Sequence, residues 1–222
     1  MKKLFIIANW KANKTSEEVE DWMQVFSKEY KNAENEEIII CPSFVHLSKV
    51  KQLIDEKNLS PAVGAQDISP FPPGAYTGEV SGAQLKEYAG YVVIGHSERR
   101  AHFGESEELL AKKVAKAIEY NLTPIFCVQD ENTPIPDRVS IIAYEPVSAI
   151  GTGNADTPEN ANKVAKEIKE KKPFVKCVLY GGSVTKKNVG LFTEEEFIDG
   201  VLVGKASLDP SEFCSIIHNA KK

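Results

Sequence analysis

The chain has 222 residues, 42% of them hydrophobic and 27% charged, with a formal net charge of −5. Those values fit a soluble globular protein, read as one domain over residues 1–222, and the lack of a basic run argues against a nucleic-acid or membrane-surface protein. No run of about 18 apolar residues is present, so no membrane span is expected.

In chain order, the first apolar run is Leu4–Ala8. Asn9-Trp10-Lys11 follows it in place of a small-residue cleavage site, which argues against a signal peptide and for a cytoplasmic protein. Further apolar runs are Ile38–Cys41, Ala62–Ala65, Val92–Gly95, Thr123–Val128, Ser140–Tyr144, Cys177–Gly181 and Gly200–Val203. Most lack polar alternation, as expected of parallel strands covered on both faces. Amphipathic helical spacing appears between them, with Val19, Trp22, Met23 and Phe26 in Ser16–Tyr30. Leu109, Leu110, Val114, Ala117 and Ile118 in Ser106–Tyr120 repeat it, as do Ala161, Val164, Ala165 and Ile168 in Asn160–Lys171. Ser16, Ser106 and Thr157-Pro158-Glu159 supply start signals.

Eight strands alternating with helices predict an α/β fold, a (β/α)8 barrel. The rival, a doubly wound open sheet, lacks a GxGxxG after the first strand. The connection Gln129–Val139 holds Pro134 and Pro136 and cannot sustain a helix, so the fifth helix is expected to be missing or reduced to a turn. An apolar barrel face exposed there would need a cover, and a further subunit contact is one expectation. Cys41, Cys127, Cys177 and Cys214 show no CxxC spacing and no clustering with histidine, which reads as reduced thiols rather than disulfides or a metal site.

Chemistry in such barrels lies at the C-terminal ends of the strands. The rule selects Asn9-Trp10-Lys11, Gly95-His96-Ser97-Glu98, Glu145, Gly181-Gly182-Ser183 and Gly204-Lys205. Glu145, at the lip of Ile141-Ile142-Ala143-Tyr144, is placed to act as a base. Gly151-Thr152-Gly153 lets backbone N–H groups approach an anion. Base and anion loop together suggest proton abstraction from a small phosphorylated substrate. Singly, each has a plainer reading: a solvated Lys11, a core His96, glycines in turns.

Together the segments resemble the triosephosphate isomerase family. The resemblance rests on Asn9-Trp10-Lys11, Gly95-His96-Ser97-Glu98-Arg99-Arg100, Ala143-Tyr144-Glu145-Pro146-Val147 with Ala149 to Gly153, Tyr180-Gly181-Gly182-Ser183-Val184, and Leu202-Val203-Gly204 with Ala206-Ser207-Leu208, in order along nearly the whole chain. It implies interconversion of dihydroxyacetone phosphate and glyceraldehyde 3-phosphate through an enediolate, a step of glycolysis and gluconeogenesis, with no metal or organic cofactor. Glu145 is then the base, His96 a neutral donor to the carbonyl oxygen, Lys11 a fixed positive charge, Asn9 an amide donor, and Glu98 a partner holding the network around Lys11. The phosphate is expected among the N–H groups of Gly151, Ser183, Gly204 and Lys205, under a closing loop from Pro146 to about Asp156. The long loop from Ser69 to Gly82 implies a homodimer, with Thr77 near the partner's Asn9 and Glu79 paired with the partner's Arg99.

Several positions depart from the pattern, the second hinge Asn154-Ala155-Asp156 among them. Ser148 stands where the family has a hinge tryptophan, Gln129-Asp130 replaces Gly-Glu after strand five, and Lys205 replaces a second glycine at the phosphate loop. A different phosphate-handling barrel isomerase, such as one acting on a phosphoribosyl compound, is disfavoured by the complete Asn9, Lys11, His96 and Glu145 set. A phosphate-binding scaffold without turnover is disfavoured by the intact catalytic groups.

Overall fold

The computed structural model describes residues 3–31, 35–146 and 155–221. Eight parallel strands close into a barrel in sequence order: β1 (Leu4–Asn9), β2 (Glu36–Cys41), β3 (Ala62–Ala65), β4 (Tyr91–Ile94), β5 (Thr123–Val128), β6 (Ile141–Tyr144), β7 (Cys177–Tyr180) and β8 (Gly200–Val203). Pairing of Phe5 with Gly200 through Ala8 with Val203 seals the barrel. A Cβ at Gly200 would lie 2.0 Å from the Phe5 carbonyl oxygen, so that closure requires glycine.

Around the barrel run α1 (Ser16–Glu29), α2 (Leu47–Glu56), α3 (Gly82–Leu85), α4 (Ser97–Phe103), α5 (Glu107–Glu119), α6 (Pro158–Lys171), α7 (Val189–Thr193) and α8 (Pro210–Asn219). The sequence starts the first helix at Ser16, but the cap is Thr15. Its hydroxyl accepts from Glu18 N, and the Glu18 carboxylate accepts from Thr15 N at 2.7 Å. This reciprocal pair satisfies two backbone donors, which a lone serine would not. Ser106 and Thr157 cap α5 and α6 as the sequence predicts.

Strand alternation divides the core. Ile7, Ile39, Cys41, Val93, Ile125, Cys127, Ile141, Ala143, Leu179 and Leu202 fill the barrel interior. Their chain neighbours, such as Ile6, Ala8, Ile40, Val92, Ile142 and Val178, pack outward in the helix layer. Successive residues of a strand point to opposite faces, so a single register fixes both layers.

Among the described residues no helix lies between β5 and β6, as the two prolines imply. Asp130 opens the connection with an Asx turn, its carboxylate accepting from Asn132 N at 2.9 Å and Thr133 N at 2.8 Å. Ile135 and Val139 then bury themselves in the helix-layer core. These two apolar side chains supply part of the cover that a helix gives elsewhere around the barrel. No helix among the described residues is long and apolar enough to cross a membrane.

Candidate active site

The same alternation places the site. Continuing the inward positions to the strand ends and just beyond gives Asn9 after Ile7, Glu145 after Ala143, Gly181 after Leu179 and Gly204 after Leu202. These four reach the barrel mouth because they are two residues past a core side chain. His96 breaks the parity. Gly95 takes φ +73°, a left-handed conformation that turns the chain so the next residue faces the mouth. Arg100 secures this turn by donating from Nε to the Gly95 carbonyl at 2.8 Å.

These residues line a cavity of about 580 Å³ with Lys11, Ser183 and Lys205, a volume suited to a small ligand. Glu145 is only 2% exposed. Its Oε2 accepts from the Ser97 N–H at 2.8 Å, and its Oε1 lies 3.0 Å from His96 Nε2. On the far side of the ring, Nδ1 accepts from the Glu98 N–H at 3.2 Å. That bond puts the ring proton on Nε2, so His96 presents a donor to the cavity.

Lys11 sits at φ 54°, a left-handed conformation unfavourable for a residue with a Cβ. Three groups hold it. Its N–H donates to Asn9 Oδ1 at 3.1 Å, its carbonyl accepts from Gln66 Nε2 at 2.9 Å, and its ammonium pairs with Glu98. Gln66 also donates to the Cys41 carbonyl at 3.0 Å, bridging the ends of β1 and β2. Gln66 was not among the residues selected from sequence. It lies two residues past Gly64, so the parity rule that found Asn9 would also have found it. Glu98 pairs with Lys11, as the resemblance implies.

Both glycines of Tyr180-Gly181-Gly182 are required by close approach. A Cβ at Gly181 would lie 2.9 Å from Glu145 Cγ, and one at Gly182 would lie 2.1 Å from the Tyr180 hydroxyl. The Cys127 thiol, near Glu145, is pushed well above its ordinary range by burial and by the Glu145 charge. It is no nucleophile at neutral pH.

Not every selected residue comes to the mouth. Thr77 and Glu79 sit on the exposed loop 69–82, whose base is closed by Ser69 N donating to Val80 O at 3.0 Å. Arg99 bonds within its own chain, to Asp67 at 2.8 Å and Glu105 at 2.8 Å. Lys113 joins the same carboxylates at 2.6 and 2.5 Å, completing a four-residue network that the sequence reading missed. Gly151 and Ser148 lie outside the described residues.

Comparison with known proteins bears on this geometry. A family model described as triosephosphate isomerase matches residues 4–137 and 136–220, its two parts meeting in the helix-free connection. A triosephosphate isomerase from Mesomycoplasma hyopneumoniae is 40% identical over 246 residues, covering 99% of this chain and all of the relative. One from Dictyoglomus turgidum is 38% identical with the same coverage. One from Aquifex aeolicus is 37% identical, covering 96% of this chain and 98% of its own length.

Proposed function

The chain belongs to the triosephosphate isomerase family, and we propose that its barrel mouth interconverts dihydroxyacetone phosphate and glyceraldehyde 3-phosphate. The observation that carries the assignment of roles is the pairing of Glu145 with His96 Nε2 beside Lys11 in one cavity. A C–H next to a carbonyl loses its proton only to a positioned base with a donor at the carbonyl oxygen. Glu145 is the base. The substrate carbonyl takes the His96 Nε2–H that now faces Glu145, freeing a carboxylate oxygen for the carbon-bound proton. The enediolate oxygen that forms is stabilised by Nε2–H and the Lys11 ammonium. A proton then moves between the two substrate oxygens, and Glu145 returns its proton to the neighbouring carbon, so the aldose and ketose differ by no net atoms. Asn9 contributes by holding the Lys11 N–H. The phosphate rests among backbone N–H groups around Ser183, Gly204 and Lys205, completed by Gly151, and needs no metal or organic cofactor.

The active form is a cytoplasmic homodimer joined through loop 69–82. Support comes from exposed apolar residues at the same end of the barrel: Val45 is 80% and Phe103 68% exposed, and Phe71 stacks on Tyr76 at 4.3 Å on the loop itself. A single soluble subunit rarely leaves such groups uncovered together. In this dimer Thr77 approaches the partner's Asn9, and Glu79 reaches the partner's Arg99.

A coupled assay of glyceraldehyde 3-phosphate conversion tests the activity. Wild type turns over, and Glu145→Gln loses on the order of 10²–10⁴-fold in kcat; a folded wild-type protein without turnover overturns the proposal. Light scattering across a dilution series tests the dimer, which a monomer mass at every concentration would exclude.

A further inference from the structure

The connection that leaves Glu145 ends at Asp156, which makes four bonds to described residues. Its Oδ2 accepts from the Tyr144 hydroxyl at 3.2 Å and from Asn160 Nδ2 at 2.7 Å. Its Oδ1 accepts from Thr157 N at 2.8 Å. Its own N–H donates to the Tyr180 hydroxyl at 2.8 Å. Tyr144 and Tyr180 are the last residues of β6 and β7 and pair directly in register. Each immediately precedes a residue of the cavity, Glu145 in one case and Gly181 in the other. Two strand ends are therefore tied to one residue, β6 through its carboxylate and β7 through its backbone N–H, just before α6 begins.

We infer that Asp156 is a positioning residue for the base, its carboxylate acting through the Tyr144 hydroxyl to fix the strand end that carries Glu145. The inference rests on the isomerase reading of the same site. The geometry is specific to the tether. Glycine at 182 is what allows the Tyr180 hydroxyl to reach Asp156 N, because a Cβ there would occupy the hydroxyl's place. Tyr144 stays a donor to the carboxylate throughout the working pH range, since burial and the Asp156 charge both push its phenol far above the usual value. Burial likewise pushes Tyr180 up to about 12. A charged acceptor for a phenol is the stronger kind of hydrogen bond and the more directional. The sequence carries serine at 148, where the family has a hinge tryptophan. Asp156 supplies an anchor at the other end of the same connection.

The test compares Asp156→Ala, the nearly isosteric Tyr144→Phe and their double variant with wild type. Each single change is expected to lower kcat on the order of tenfold with KM nearly unchanged, as for an interaction that matters in the transition state. The double variant is expected to be no worse than the worse single one, because both remove the same bond. Hydrogen exchange of the peptide carrying the Glu145 amide, bonded at 2.8 Å to the Val128 carbonyl, is expected to quicken in both single variants. With active wild type, an unchanged kcat in either single variant, or losses that multiply in the double, overturns the inference. With folded but inactive wild type the isomerase reading fails separately, and exchange decides: faster exchange in both variants sustains the tether, unchanged exchange overturns it.

Discussion

Replacing Gly181 with alanine displaces Glu145, the proposed base, by an amount the structure fixes. The added Cβ would stand 2.9 Å from Glu145 Cγ and 3.2 Å from the Tyr144 carbonyl oxygen, where ordinary contact begins at 3.4 Å. The backbone oxygen belongs to a strand bond, Gly181 N donating to it at 2.8 Å, so the glutamate side chain gives way. A shift of roughly 0.5 Å restores contact distance and stretches the 2.8 Å bond from Ser97 N and the 3.0 Å approach to His96 toward about 3.3 and 3.5 Å, where such bonds weaken. Losing part of two bonds to a carboxylate costs about 1–2 kcal/mol of positioning, and displacement of about 1 Å can cost a hundredfold in rate. The expected fall in kcat is on the order of tenfold. Stability should barely move. Alanine restricts the unfolded chain by about 0.4–1 kcal/mol, which offsets the local strain, so Tm stays within about 4 °C. Steady-state kinetics and a thermal melt on one sample check both halves. Wild-type kcat in Gly181→Ala would refute the claim that glycine serves the glutamate, and a collapse of Tm with proportionate loss of activity would refute the claim that the effect is local.

Other expectations follow from groups away from the mouth. Lys113→Met leaves the buried carboxylates of Asp67 and Glu105 to share Arg99 alone; breaking such a network costs about 3–5 kcal/mol. At about 2–4 °C per kcal/mol the melt should drop by roughly 6–20 °C, and a drop below 3 °C would count against it. Val139→Ala hollows the cover over β5 and β6 and should cost about 2 kcal/mol in urea denaturation without changing kcat; no change in midpoint would mean the connection is not core. Burial raises Cys41 to about 12 and Cys127 well above its usual value, so neither thiol is ionised below its folded pKa. Iodoacetamide at about pH 8.5 should leave both unmodified in the native protein and label both in urea, and native labelling seen by mass spectrometry would contradict the burial argument.

Much of the barrel was legible because its cues are local. Runs of β-branched residues mark the strands, and Pro134 and Pro136 mark the missing helix. Two-residue parity carries Ile7 to Asn9 and Ala143 to Glu145. Where the cue is a cap, sequence reads to within a residue: Thr15 and Ser16 are both good caps, and only the reciprocal bond from Glu18 decides between them. What escaped has no local signature. Asp67 and Lys113 lie 46 residues apart and meet only because β3 and α5 are brought together. Parity marks Gln66 as facing the mouth, but its partners, the carbonyls of Lys11 and Cys41, are set only by the fold. Asp156 stands beside a start signal, Thr157-Pro158, that accounts for an acidic residue there without reference to Tyr144. In each case the residue's partner, not its own type, carries the information.

The helix-free crossing from β5 to β6 has a consequence for how this chain can vary in length. A parallel strand pair needs a connection of about a dozen residues simply to return to the starting edge, and residues 129–140 supply twelve. The crossing thus sits near that minimum length. Residues removed from it must be recovered by pulling on Ile141, and Glu145 stands four positions further on, just past the end of the same strand. Residues added cost little, since loop closure grows by only about 0.6 kcal/mol per doubling of length. Evolution or a protein engineer can lengthen the barrel here freely, but any shortening is felt at the Glu145 carboxylate.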